Sequence, residues 1–120
     1  MPVAEKKLRP VKRARSRDIN KILDELKKQL LSIYGERFSK LLLYGSYARA
    51  EAWEGSDIDI AVVLKDDVLP VKEIDRLIDL ITNINLEYDV LISVYPVSER
   101  SLRMIKSPLL INIRKEGLPV

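Results

Sequence analysis

The chain has 120 residues, 47% hydrophobic and 32% charged, with a formal net charge of +3. It contains neither Cys nor His, which removes disulfides, thiolate chemistry, Ser-His triads, imidazole shuttles and nearly all zinc sites. Any catalysis must therefore run on carboxylates, hydroxyls, Lys or Arg, with a hard metal ion as the natural partner.

Residues 1–17 carry Lys6, Lys7, Arg9, Lys12, Arg13, Arg15 and Arg17 against Glu5 alone. Removing them leaves 14 basic and 17 acidic residues, so the positive charge belongs to an arm and not to the fold. Such an arm reads either as a solvated tail or as a docking element for nucleic acid or a partner. No apolar segment follows it, and no apolar run reaches bilayer length. The expectation is a cytoplasmic protein with no membrane segment and one domain, residues 18–120.

Ile19, Ile22, Leu23, Leu26, Leu30 and Ile33 recur at helical spacing, predicting an amphipathic helix from about Asp18 to Tyr34, stopped by Gly35. Leu41–Leu43 read as a short buried strand. Residues 45–55 form a turn-rich connection with room for one helical turn at Tyr47–Ala50. Asp57–Leu64 opens in alternation and ends in an apolar run, predicting a second strand. Pro70 starts a helix whose predicted buried stripe is Ile74, Leu77, Ile78, Ile81 and Ile84. Tyr88–Tyr95 predict a third strand. Ser98 caps a short helix, and a last one opens at Ser107-Pro108 and stops at Gly117. This order predicts a small α/β (α+β) domain with helices on a mixed sheet of three to four strands.

Two features on consecutive strands carry the chemistry. Gly45-Ser46 follows the first strand, and Asp57-Ile58-Asp59 opens the second after ten intervening residues. Period-2 geometry puts Asp57 and Asp59 on one face, their Cα atoms roughly 6.5–7 Å apart. Paired carboxylates repel each other unless a cation sits between them, and Mg²⁺ suits an oxygen-only donor set. Gly45 permits close backbone approach, while the Ser46 hydroxyl and nearby amides can hold phosphate oxygens. Metal plus phosphate cradle is the equipment of phosphoryl or nucleotidyl transfer. A third carboxylate would come from Glu87 or Asp89 at the start of the third predicted strand. Asp89 is favoured, because apolar Val90-Leu91-Ile92 follow it directly.

The segments Leu42-Leu43-Tyr44-Gly45-Ser46-Tyr47-Ala48-Arg49 and Ser56-Asp57-Ile58-Asp59-Ile60-Ala61-Val62 resemble the signature of DNA polymerase β-like nucleotidyltransferases. Their wording is most similar to the minimal nucleotidyltransferases, many of which are antitoxins of HEPN-domain toxins. That resemblance implies that Asp57 and Asp59 coordinate two Mg²⁺ ions, with Asp89 binding one and helping to activate the acceptor. It implies that Gly45 and Ser46 contact the β- and γ-phosphates of ATP and that Arg49 supports the loop or neutralises triphosphate charge. AMP would pass to a tyrosine of the toxin. Ala50 departs from the pattern, since many relatives carry a second Gly there; the ligands are untouched.

Plainer readings remain for individual residues. A surface ion pair to Glu51 or Asp57 explains Arg49 as well as a phosphate does. Trp53 and Tyr47 can stack on a base or pack on the loop, and Tyr44 and Tyr95 read as core or edge residues. The domain has no module of its own for base or acceptor recognition, so a homo-oligomer or another protein must supply it. A binding module without catalysis, or transfer to a small molecule or RNA, are the alternative functions.

Overall fold

The fold is that of a computed structural model, which describes residues 16–53 and 55–120. The basic arm, apart from its last two residues, lies outside the described residues. The elements are α1 (Ser16–Tyr34), a 3-10 turn (Gly35–Arg37), β1 (Phe38–Tyr44), β2 (Ile58–Leu64), α2 (Pro70–Tyr88), β3 (Ile92–Ser98), α3 (Glu99–Met104), α4 (Pro108–Glu116) and β4 (Leu118–Pro119). They form one mixed sheet in the order β3-β2-β1-β4. β1 is antiparallel to β2 and to β4, and β2 is parallel to β3. No helix of the described residues is long and apolar enough to cross a membrane.

Both faces of the sheet are covered, which explains the unbroken apolar run in β2. Ile58, Ile60, Val62 and Leu64 pack with Leu41 and Leu43 against α1 and α2. Ala61 and Val63 point the other way and join Leu42, Val97, Leu102, Leu110 and Ile113 under α3 and α4. A strand buried on both sides needs apolar residues at every position, not at alternate ones. Asp59 has the parity of Ala61 and Val63, so it lies on the α3/α4 face. It is only half-buried, because the short α3 and α4 leave that end of the face open.

Several element boundaries differ from the sequence-based expectation. The third strand is Ile92–Ser98, not Tyr88–Tyr95, because α2 continues through Tyr88 and is capped by Asp89. Asn85 fixes this handover: its carbonyl accepts the Val90 N–H at 3.2 Å and its Oδ1 accepts the Ile92 N–H at 2.9 Å. β2 begins at Ile58, one residue after Asp57. The last two-residue strand pairs Leu118 and Pro119 with Leu43 and Leu42.

The buried stripe of α2 also differs. It consists of Glu73, Leu77, Ile81 and Ile84, while Ile74 and Ile78 are exposed. On α1, Tyr34 is buried in place of the exposed Ile33. One ionic cluster accounts for both shifts. The Glu73 carboxylate, 3% exposed, accepts the Tyr34 hydroxyl at 2.7 Å and lies 3.2 Å from Arg76 Nε and 3.6 Å from Arg37 Nη2. Arg37 also binds Asp66 at 2.9 Å. A charge this deep is tolerated only with several partners, and these tie the end of α1 to the start of α2.

Burial, then the hydrogen bond and charge of Glu73, push the Tyr34 phenol well above its ordinary value of 10.0. The folded state therefore holds the proton more tightly than the unfolded one. Stability from this contact is complete below pH 10 and is lost as pH rises past it. Tyr34→Phe should cost about 2 kcal/mol in urea denaturation at pH 7, and the cost should shrink in alkali. A variant as stable as wild type at pH 7 would show that the Tyr34–Glu73 contact contributes nothing.

Candidate active site

The site lies where β1 ends, at the opposite end of the sheet from the Glu73 cluster and roughly 20 Å from it at strand rise. Tyr44 closes β1 and pairs across the ladder with Asp59. The chain then turns through Gly45–Ala50, with the Arg49 N–H bonded to the Gly45 carbonyl at 3.1 Å and the Glu51 N–H to the Ser46 carbonyl at 2.8 Å. This is the single turn expected there.

Gly45 is required twice over. Its φ is +76°, and a Cβ built on it would stand 2.3 Å from Asp59 Oδ2. The first condition costs any L-residue roughly 1–2 kcal/mol. The second would push the carboxylate off the turn. Asp59 is thus pressed against bare backbone, bringing the Gly-Ser turn and the Asp-x-Asp segment into direct contact. Ala50 also has a positive φ, +60°, at the position where the sequence pattern favours a second Gly.

Burial, and next the charge of Asp57, push the Asp59 carboxyl above its ordinary 3.8, while Arg49 opposes the shift. Burial and the charge of Asp59 push the Tyr44 phenol up to about 12, with Tyr95 contributing. Tyr44 and Tyr95 are strand residues packed against the α3/α4 core cluster, as their reading as core or edge residues expects, and Tyr44 stands opposite Asp59 in the ladder. Asp57 is exposed, one residue ahead of the strand, and the Ile58 N–H anchors it by bonding the Leu91 carbonyl at 2.9 Å.

Asp89 is not on a strand. It is exposed at the C-cap of α2 with φ +54° and ψ +51°, and Glu87 lies within that helix. The sheet position beside Asp59 is taken by Ser93. Among the described residues, no group of three or more His, Cys, Asp or Glu is arranged to hold a metal ion. Asp57 and Asp59 form a two-carboxylate pair. Such a pair fits Mg²⁺, which commonly takes one or two carboxylates and completes its shell with water and substrate phosphates.

Arg49 pairs with Glu51, Nε to Oε1 at 2.8 Å, as the plainer reading expected. It also binds Glu116, Nη1 to Oε1 at 2.9 Å, and the same Glu116 oxygen accepts the Gly45 N–H at 3.0 Å. Glu116 reaches the turn from the end of α4, and no spacing or motif in the sequence points to it. Trp53 is 70% exposed, with its ring against Gly55 and its backbone N–H donating to Ser56 Oγ at 2.8 Å.

A sheet of this order with a Gly-Ser turn set against paired aspartates defines a nucleotidyltransferase domain. The profile of the polymerase beta nucleotidyltransferase family matches residues 18–112, and the chain belongs to that family. It is 30% identical over 103 residues to a Methanocaldococcus jannaschii protein provisionally named a protein adenylyltransferase, covering 86% of this chain and 99% of that one. A second protein of that organism, with the same provisional name, is 42% identical over 79 residues, 66% of this chain and 73% of that one. The fold is similar to a solved structure described provisionally as a minimal nucleotidyltransferase, with a TM-score of 0.56 at 23% identity, covering 89% of this chain and 98% of that one. It is also similar to a chain of a toxin–antitoxin crystal structure with AMP-PNP, with a TM-score of 0.55 at 22% identity, covering 80% and 70%.

Because the folded-state value for Asp59 lies above the unfolded one, its ionised form opposes folding at neutral pH. Its favourable contribution is complete only below the unfolded value and is lost as pH rises through the folded one. Asp59→Asn should therefore raise the melting temperature of the metal-free protein at pH 7. The gain should shrink as pH falls through the carboxylate range, and a melting temperature below wild type at pH 7 would contradict this electrostatic account.

Proposed function

We propose that this nucleotidyltransferase moves AMP from ATP to a tyrosine hydroxyl of a HEPN-type toxin, in the cytoplasm and as the antitoxin of the pair. One observation carries the reading: the Asp59 carboxylate lies against Gly45, so a nucleotide held by the turn would present its phosphates to the aspartate pair. The names of the adenylyltransferase relatives and of the toxin–antitoxin structure support it.

In this proposal Asp57 and Asp59 hold Mg²⁺, with a second ion shared with Asp89. The exposed C-cap position of Asp89 is two residues before Leu91, whose carbonyl anchors Ile58. Magnesium, when bound, neutralises triphosphate charge and favours the ionised acceptor oxygen. The Gly45 turn, the Ser46 hydroxyl and the Arg49 guanidinium grip the β- and γ-phosphates. The tyrosine oxygen bonds to the α-phosphorus, and the α–β bridging P–O bond breaks. Pyrophosphate leaves, and the phenolic proton passes to a carboxylate or to water. The toxin brings its own docking surface, and a homo-oligomer could provide the remaining walls of the base site.

The exposed position of Asp89 favours one competing reading, neutralisation by binding alone. Incubating the protein with its co-encoded helical partner, ATP and Mg²⁺ should add adenylate mass to a partner tyrosine, read by intact-mass spectrometry. Ser46→Ala should slow transfer by about 10²–10³-fold if its hydroxyl acts in the transition state. Asp57→Asn with Asp59→Asn should transfer nothing and fail to rescue growth. Rescue by that double variant at the wild-type level would replace enzymatic silencing with simple occlusion.

A further inference from the structure

Glu116 bridges the backbone and the guanidinium of the proposed phosphate grip. A single oxygen, Oε1, accepts the Gly45 N–H at 3.0 Å and the Arg49 Nη1–H at 2.9 Å. A backbone amide and a guanidinium converging on one anionic oxygen form a phosphate-type site. In this structure the anion is a side chain of the protein itself. We infer that Glu116 stands in for a triphosphate oxygen and must be displaced for nucleotide to bind, so that it sets the affinity of the site. This rests on the reading of Gly45 and Arg49 as phosphate ligands.

Three observations favour a displaceable stand-in over a strut. The Gly45–Ala50 turn is closed by its own backbone bonds, from the Arg49 N–H to the Gly45 carbonyl and the Glu51 N–H to the Ser46 carbonyl. Arg49 keeps a second anchor in Glu51, through Nε at 2.8 Å. The backbone behind Glu116 is fixed, and its side chain is 25% exposed. Gly117 has no room for a Cβ, which would meet the Ile113 carbonyl oxygen at 2.5 Å, and β4 is paired to β1 beyond it. Rotation about the side-chain bonds of Glu116 therefore empties the site without moving α4.

Charge points the same way. Glu51 and Glu116 both pair with the Arg49 guanidinium, whose charge also reaches Asp59. With Glu116 in place Arg49 is already matched by carboxylates on both sides, and an incoming triphosphate meets no uncompensated cation. Withdrawing Glu116 exposes one amide donor and one guanidinium edge together.

Titration with inorganic tripolyphosphate, followed by calorimetry, tests this without nucleotide chemistry. Glu116→Gln and Glu116→Ala should each bind it about tenfold more tightly than wild type, the scale of losing one charge-assisted competitor. Glu51→Gln removes the same charge beside Arg49 without touching Gly45. It should gain less than about threefold, as for an exposed ion pair. Equal gains in the Glu51 and Glu116 variants would reduce the effect to net charge and overturn the role of Glu116. Weaker or unchanged binding in both Glu116 variants, with wild-type binding intact, would also overturn it and leave the proposed function standing. Failure of every form, wild type included, to bind tripolyphosphate would overturn the phosphate grip and both readings. Glu116→Gln keeps the shape of the side chain, so it serves if the alanine variant fails to fold.

Discussion

The contact between Gly45 and Asp59 organises this molecule's chemistry. A carboxylate oxygen occupies the space that a Cβ at residue 45 would fill, with 2.3 Å between them. Only glycine meets both that condition and the positive φ of the turn. The contact exists because β1 and β2 pair with Tyr44 opposite Asp59, and that register is held by the apolar residues behind it. A slip of one residue would turn Asp59 into the α1/α2 core and put Ile58 or Ile60 at the turn. Core packing therefore aims the site.

The two ends of the sheet handle negative charge in opposite ways. At the Phe38 end, Glu73 is buried and has a tyrosine hydroxyl and two arginines around it. It is a finished structural cluster. At the Tyr44 end, Asp59 is raised by burial and by Asp57, with only Arg49 opposing, and Arg49 is shared with Glu51 and Glu116. The carboxylate at this open end thus has fewer compensating partners than the one in the Glu73 cluster.

Much of this was legible in the sequence because local patterns coincide with tertiary need. The Gly-Ser turn after the first strand and the apolar run Ile60–Leu64 as a second strand follow from period and composition. What was hidden depends on contacts distant in sequence. The burial of Glu73 depends on Tyr34, 39 positions away. Glu116 is 71 positions from Gly45, and nothing in its neighbourhood marks it. The β-branched and aromatic content of Tyr88–Tyr95 reads as a strand that includes Asp89. The helix prevailed by one more turn, since Asn85 caps both the end of α2 and the start of β3.

Mg²⁺–ATP titration into wild type and Asp57→Asn tests the central claim most directly. Asp57 is exposed and ahead of the strand, so its replacement leaves the core and the Gly45 contact untouched. Wild type should bind ATP in a Mg²⁺-dependent manner, and the variant should lose that dependence at an unchanged or slightly higher melting temperature. Equal Mg²⁺–ATP affinity in the two proteins would contradict the assignment of the aspartate pair as the metal site.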